Sequence, residues 1–137
     1  MKHIVLPGIL SGIGMLFIGF GLSFLLGFIF PVIAKEYHNP NLFRPWSDPL
    51  MSLYFVHPFV VGIILAFIWG KVKKLFTGTT VSKGLLFGFS FWIAATFPGM
   101  FISYSSFPVS IMMIITWTLS GLAQELVAGV ILAKMNP

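Results

Sequence analysis

Glu125 is the residue whose placement most demands a chemical explanation. It lies within the apolar run Thr118-Leu-Ser-Gly-Leu-Ala-Gln124-Glu125-Leu-Val-Ala-Gly129, and the other two acids of the chain, Glu36 and Asp48, lie outside the apolar runs. A carboxylate at mid-bilayer costs about 2.5–3.5 kcal/mol on insertion scales. It therefore calls for a donor, a water, a cation or a proton. At helical spacing Thr118, Gly121 and Gly129 share its face, which is small and polar and directs Glu125 into a bundle. The Ser90 hydroxyl and the Trp92 indole N–H stand at comparable depth and are the expected donors, with Gln124 next door. Such a group either handles a proton or cation, or locks helices together as a neutral hydrogen-bonded carboxyl.

His57 precedes Pro58 in a second apolar run. The proline removes a helix hydrogen bond, frees a carbonyl and favours a kink. A structural imidazole bonded to Thr96, Thr116 or backbone is one reading, and a haem ligand is another. Haem held between helices by two histidines needs a second one at matched depth, whereas His3 and His38 lie outside the apolar runs. No cofactor is expected. There is no Cys, and with only three acids paired-carboxylate catalysis has little to work with. No Ser/His/Asp set, phosphate-cradling glycine loop or metal-ligand spacing is recognisable. The expectation is a protein that is not an enzyme, with no catalytic or metal-ligating residues.

The elements that must position these side chains are transmembrane helices. Of 137 residues 58% are hydrophobic and 8% charged, against about 25% charged in soluble domains. Four apolar runs are long enough to span a bilayer: about residues 4–34, 49–70, 82–102 and 108–133. They are continuous rather than alternating, so strands of a barrel are not indicated. This predicts an all-α fold, a single integral membrane bundle of four helices. Ser47-Asp48 followed by Pro49 reads as the start of the second helix, and Ser82 as a cap of the third.

The net charge of +5 is spread as flanks to the apolar runs, not as a stripe, so no nucleic-acid partner is expected. With the N-terminus inside, Lys2, Lys71, Lys73, Lys74, Lys83 and Lys134 lie inside and only Lys35 and Arg44 outside. That predicts a multi-pass protein of the cell (inner or plasma) membrane with both termini cytoplasmic. Trp46 and Trp69 fit interfacial anchors.

Gly8, Gly12, Gly19, Ser23 and Gly27 form one face of the first helix, the small-residue spacing that lets helices approach closely in lipid. At an offset of 67 residues Gly21-Leu-Ser23-Phe24 meets Gly88-Phe-Ser90-Phe91, Phe30-Pro31 meets Phe97-Pro98, Tyr37 meets Tyr104, and Val60-Val-Gly62-Ile-Ile64-Leu-Ala66 meets Val127-Ala-Gly129-Val-Ile131-Leu-Ala133. A duplicated two-helix hairpin with parallel repeats would produce this match. In the polar connection after the first helix, Arg44, Trp46 and Asp48 could dock a partner, or the segment could cap the interface.

Three functional readings follow. The first is a non-enzymatic structural or accessory subunit, partnered by lipid and by other membrane subunits or copies of itself. The second is a small oligomeric permease or channel for ions or small solutes using Glu125. The third is a haem-bearing or redox subunit using His57.

Overall fold

The computed structural model describes residues 2–137, and these residues form helices and no strands. The order is α1 (Lys2–Ile29), α2 (Pro31–Tyr37), a short 3₁₀ turn (Pro49–Met51), α3 (Ser52–Val72), a second 3₁₀ turn (Lys73–Leu75), α4 (Thr80–Phe91), a π turn (Trp92–Thr96), α5 (Phe97–Ser106) and α6 (Ile111–Met135). Four stretches are long and apolar enough to cross a membrane: His3–Ile29, Pro49–Leu75, Thr80–Ser106 and Ile111–Met135. The first helix does not run on to Ala34. It breaks at Phe30 because Pro31 cannot continue the ladder, and Pro31 opens the separate α2.

The starts of the helices follow local chemistry. Asp48 accepts from the Leu50 N–H ahead of Pro49, as expected. The third long helix begins earlier than expected. Thr79, not Ser82, is the cap, and Ser82 supplies the N–H that the Thr79 hydroxyl accepts. Ser110 caps α6 through the Met113 N–H.

Helices in lipid gain no hydrophobic driving force from touching, so close backbone approach and interhelical polar contacts decide who packs with whom. α1 packs against α3 on one side and α6 on the other, and α4 packs against α6. The crossings are made at glycines. Gly62 of α3 sits against the Gly8 carbonyl and the Gly12 N–H of α1, and Gly129 of α6 sits against the Gly84 carbonyl and the Gly88 N–H of α4. A Cβ at any of these positions would collide with backbone.

This pairing corrects the repeat. Between α3 and α6 the offset of 67 residues holds, carrying Gly62 onto Gly129. Between α1 and α4 the equivalent glycines are Gly8 with Gly84 and Gly12 with Gly88, an offset of 76 residues. The matching sequence is Val5-x-x-Gly8-x-Leu10-x-Gly12 with Val81-x-x-Gly84-x-Leu86-x-Gly88. Further on, Phe30-Pro31-Val32 matches Phe107-Pro108-Val109, not Phe97-Pro98, one residue later in register. That additional residue is what a π turn inserts into a helix, and the π turn lies between the two matches.

Both ends are closed by aromatic side chains, but differently. The end that carries both terminal segments, here the base, is filled by Trp69, Leu65, Phe87, Leu132 and Ala133. Trp69 is 1% exposed and donates from its indole to the Asn136 carbonyl. It is thus a core plug rather than the expected interfacial anchor. At the other end, the mouth, α2 and the connection after it fold over the bundle, with Tyr37 and Phe43 packed on Trp117 around Ile33 and Met113. The first helix presents Phe17, Phe24 and Phe28 outward, a surface suited to lipid chains.

Candidate functional site

Below the mouth the four spans separate and line a half-open cavity of about 530 Å³. Its walls come from α1 (Met15 to Leu26), α3 (Tyr54 to Val61), the π turn with α5 (Ala95 to Ser103) and α6 (Thr116 to Glu125). Ile33 and Tyr37 of α2 form its roof. The volume falls in the range of small-molecule sites. α3 and α5 make no extended contact with each other.

Glu125 lies furthest from the mouth of the α6 residues that line this space, and so stands at its floor. It is 5% exposed. Oε1 accepts from the Thr96 hydroxyl at 2.5 Å. Oε2 is buried and accepts from no group. A half-satisfied buried carboxyl is costly, and such exceptions call for a physical reason.

The donor is Thr96 because of the π turn. Pro98 has no N–H, and its ring opposes a regular α-helix around Ala94. The chain widens just before it, and the Phe97 N–H reaches back to the Trp92 carbonyl, five residues away. The turn carries Thr96 inward against Gly121 and Glu125. Ser90 and Trp92, the expected donors, are both occupied elsewhere. Ser90 donates to the Leu86 carbonyl of its own helix, and the Trp92 indole donates to the Thr118 carbonyl. Thr118 in turn donates its hydroxyl to the Ile114 carbonyl. A straight α-helix from residue 82 to 102 would have hidden this arrangement, and the signal that reveals it is Pro98.

His57 and Gln124 also line the cavity. They occupy matching places in the two hairpins at the offset of 67 residues, as do Pro58 and Glu125. The two threonines expected to hold the imidazole are engaged elsewhere, Thr96 with Glu125 and Thr116 with the Met113 carbonyl. His57 is exposed and faces the same space as Glu125. His38 lies in the connection at the mouth, bonded to the Ala34 carbonyl.

The glycine face divides. Gly8 and Gly12 meet α3, Gly19 meets the Gln124 side chain of α6, and Ser23 lines the cavity. Gly27 has nothing within 4 Å, so the close-packed stripe stops at Gly19. Gly14, not part of the expected face, packs on Val127 and Ile131 of α6.

At the mouth, Arg44 and Asp48 pair with each other at 2.9 Å, and Trp46 leans on Tyr54 and Phe55 while remaining 58% exposed. The Leu50 N–H and the Arg44 guanidinium hold the Asp48 carboxyl below the usual carboxylate range. Glu36 accepts from the Ser110 N–H and ties α2 to the start of α6. Burial pushes the Tyr37 phenol above the ordinary tyrosine value, outweighing the Trp117 indole N–H that its oxygen accepts.

No family model, curated protein or solved structure matches this chain. The chemistry of the cavity must therefore be read from its own residues. It holds one acid with a free acceptor oxygen, an amide, an imidazole and several hydroxyls, set among aromatic rings, and among the described residues no Lys or Arg lines it. Such a site can accept a hydrogen bond or a positive charge at one defined atom.

Proposed function

We propose that this protein is a small permease of the cell membrane that takes up a small solute or ion in the mouth-half cavity, with Glu125 as its binding group. One observation carries the reading. Glu125 is buried with Oε1 held by Thr96 and Oε2 facing no donor, and a bound solute would supply what that oxygen lacks. The reading of a structural or accessory subunit draws on the lack of catalytic motifs, the aromatic surface and the glycine face of α1. Gly8, Gly12 and Gly19 are spent within the chain, which leaves that reading less support. In this proposal both termini face the cytoplasm, because the lysine-rich base then lies inside. Reporter fusions at Lys74 check the orientation, and an external signal there would reverse it.

The test of function is flux. In proteoliposomes with an imposed inside-negative potential, the wild-type protein should raise cation or proton entry above empty vesicles. Glu125→Gln should remove that increase, by at least about tenfold if the charge is the binding determinant. Flux that survives Glu125→Gln unchanged would end the proposal. So would a folded wild-type protein no leakier than empty vesicles that leaves native membranes only within a larger heteromeric particle; that pair of results supports the accessory reading.

A further inference from the structure

Resting on the solute-binding reading, we propose that the ligand is a small organic ammonium ion carrying at least one N–H. Four observations converge on this chemistry. The acceptor is the Glu125 carboxyl: the residue lines the cavity and is 5% exposed, and its Oε2 is buried without a donor. It needs a donor, and an ammonium N–H brings both the hydrogen bond and the counter-charge that a carboxylate in lipid requires. The walls carry aromatic rings, among them Phe20, Tyr54, Phe91 and Trp117. Phe20 and Tyr54 stand edge to face at 6.2 Å. Ring faces attract an organic cation, and do so most where water is excluded.

The alternatives fit less well. A calcium- or magnesium-type cation takes six or more oxygen ligands in a tight shell, whereas the described residues bring no group of three or more His, Cys, Asp or Glu together. An anion would meet Glu125 with no Lys or Arg on the lining to offset it. A sugar-like neutral solute needs many polar partners. Of the lining hydroxyls Thr116 is committed to Met113 and Thr96 to Glu125, and a neutral solute brings no counter-charge for a Glu125 carboxylate.

The experiment compares three probes on one carbon skeleton: benzylammonium, benzyl alcohol and benzoate. Each is titrated calorimetrically into the full protein in lipid nanodiscs, with empty discs as the blank. Benzylammonium should bind at least about tenfold more tightly than benzyl alcohol, and benzoate should give no heat above the blank. Glu125→Gln should erase the preference for the ammonium while leaving benzyl alcohol within about twofold. Tyr54→Leu, a change on an exposed ring, should weaken benzylammonium about three- to fivefold and benzyl alcohol less. Equal binding of benzylammonium and benzyl alcohol by the wild type would overturn the ammonium assignment while leaving a solute site. No heat from any probe, with folded protein in the discs, would overturn the assignment and the binding reading beneath it.

Discussion

In the first hairpin Gly62 of α3 rides against Gly8 and Gly12 of α1, and in the second Gly129 of α6 rides against Gly84 and Gly88 of α4. The crossings are alike down to the groups involved, a carbonyl at the first glycine and an N–H at the second. Toward the mouth the two hairpins diverge. α1 runs unbroken to Ile29, while its counterpart is interrupted by the π turn. Pro58 stands in α3 where Glu125 stands in α6, and His57 where Gln124 stands. The shared half holds the helices together, and the divergent half forms the cavity. A π turn is costly to keep without a reason and is often found at functional sites. Here it delivers the one hydroxyl that reaches Glu125.

The strongest test of this comparison is at the crossings. A methyl on Gly62 or Gly129 would have to displace the backbone of the facing helix. Overpacking of that kind costs typically 1–3 kcal/mol, so Gly62→Ala and Gly129→Ala should each lose about 2–3 kcal/mol, and by similar amounts. Gly21→Ala and Gly27→Ala, where nothing lies within 4 Å, should stay within about 0.5 kcal/mol of wild type. Reversible unfolding in mixed micelles measures all four. A neutral Gly62→Ala beside a damaging Gly129→Ala would show that the crossings are not equivalent, and the repeat would lose its main support.

Next in size is the point where the hairpins differ. Thr96→Val should leave both oxygens of Glu125 buried without a donor, at a cost of about 1–3 kcal/mol. Thr96→Ser keeps the hydroxyl and should recover most of it. Benzylammonium binding should survive in both variants, since its acceptor is Oε2 and not the atom that Thr96 holds. If Thr96→Val matched wild type in stability, the inward aim of the π turn would have no energetic content.

Much of this architecture was legible in the amino-acid order. Continuous apolar runs mark the four spans because a backbone in lipid must bond to itself, and Asp48-Pro49 and the isolation of Glu125 could be read directly. The donor to Glu125 could not. Ser90 and Trp92 were placed on a straight α-helix, and one inserted residue changes which side chains face inward. Pro98 was the available clue, since a proline inside a span must be accommodated somewhere. The repeat was half legible for a related reason. The offset of 67 residues holds for α3 and α6, whereas α1 and α4 need a larger one because the connection after the first helix is longer than the one before α6. An indole beside Lys71 resembles an interfacial anchor, and nothing local reveals that the Asn136 carbonyl accepts the Trp69 N–H.

The smallest effect sharpens the comparison at the mouth. Each hairpin's second span opens with a side-chain cap, Asp48 on the 3₁₀ turn that leads into α3 and Ser110 on α6, but only one of the two titrates. Ser110→Ala should cost about 1 kcal/mol at every pH. Asp48 is held below the ordinary carboxylate range in the folded protein by Leu50 and Arg44. A group whose folded value is depressed contributes stability above its unfolded value, and that contribution fades as pH falls through the folded one. The contribution of Asp48 should therefore be complete above about pH 5 and decline progressively through and below pH 4. Asp48→Asn keeps the capping geometry without the charge, so its unfolding midpoint should lie close to wild type in acid and slightly below it at neutral pH, a difference smaller than that of Ser110→Ala. Midpoints measured from pH 3 to pH 7 decide it. A gap between Asp48→Asn and wild type that failed to close in acid would mean that the cap and the Arg44 pair contribute no charge-dependent stability, and that the two helix starts are equivalent despite their different residues.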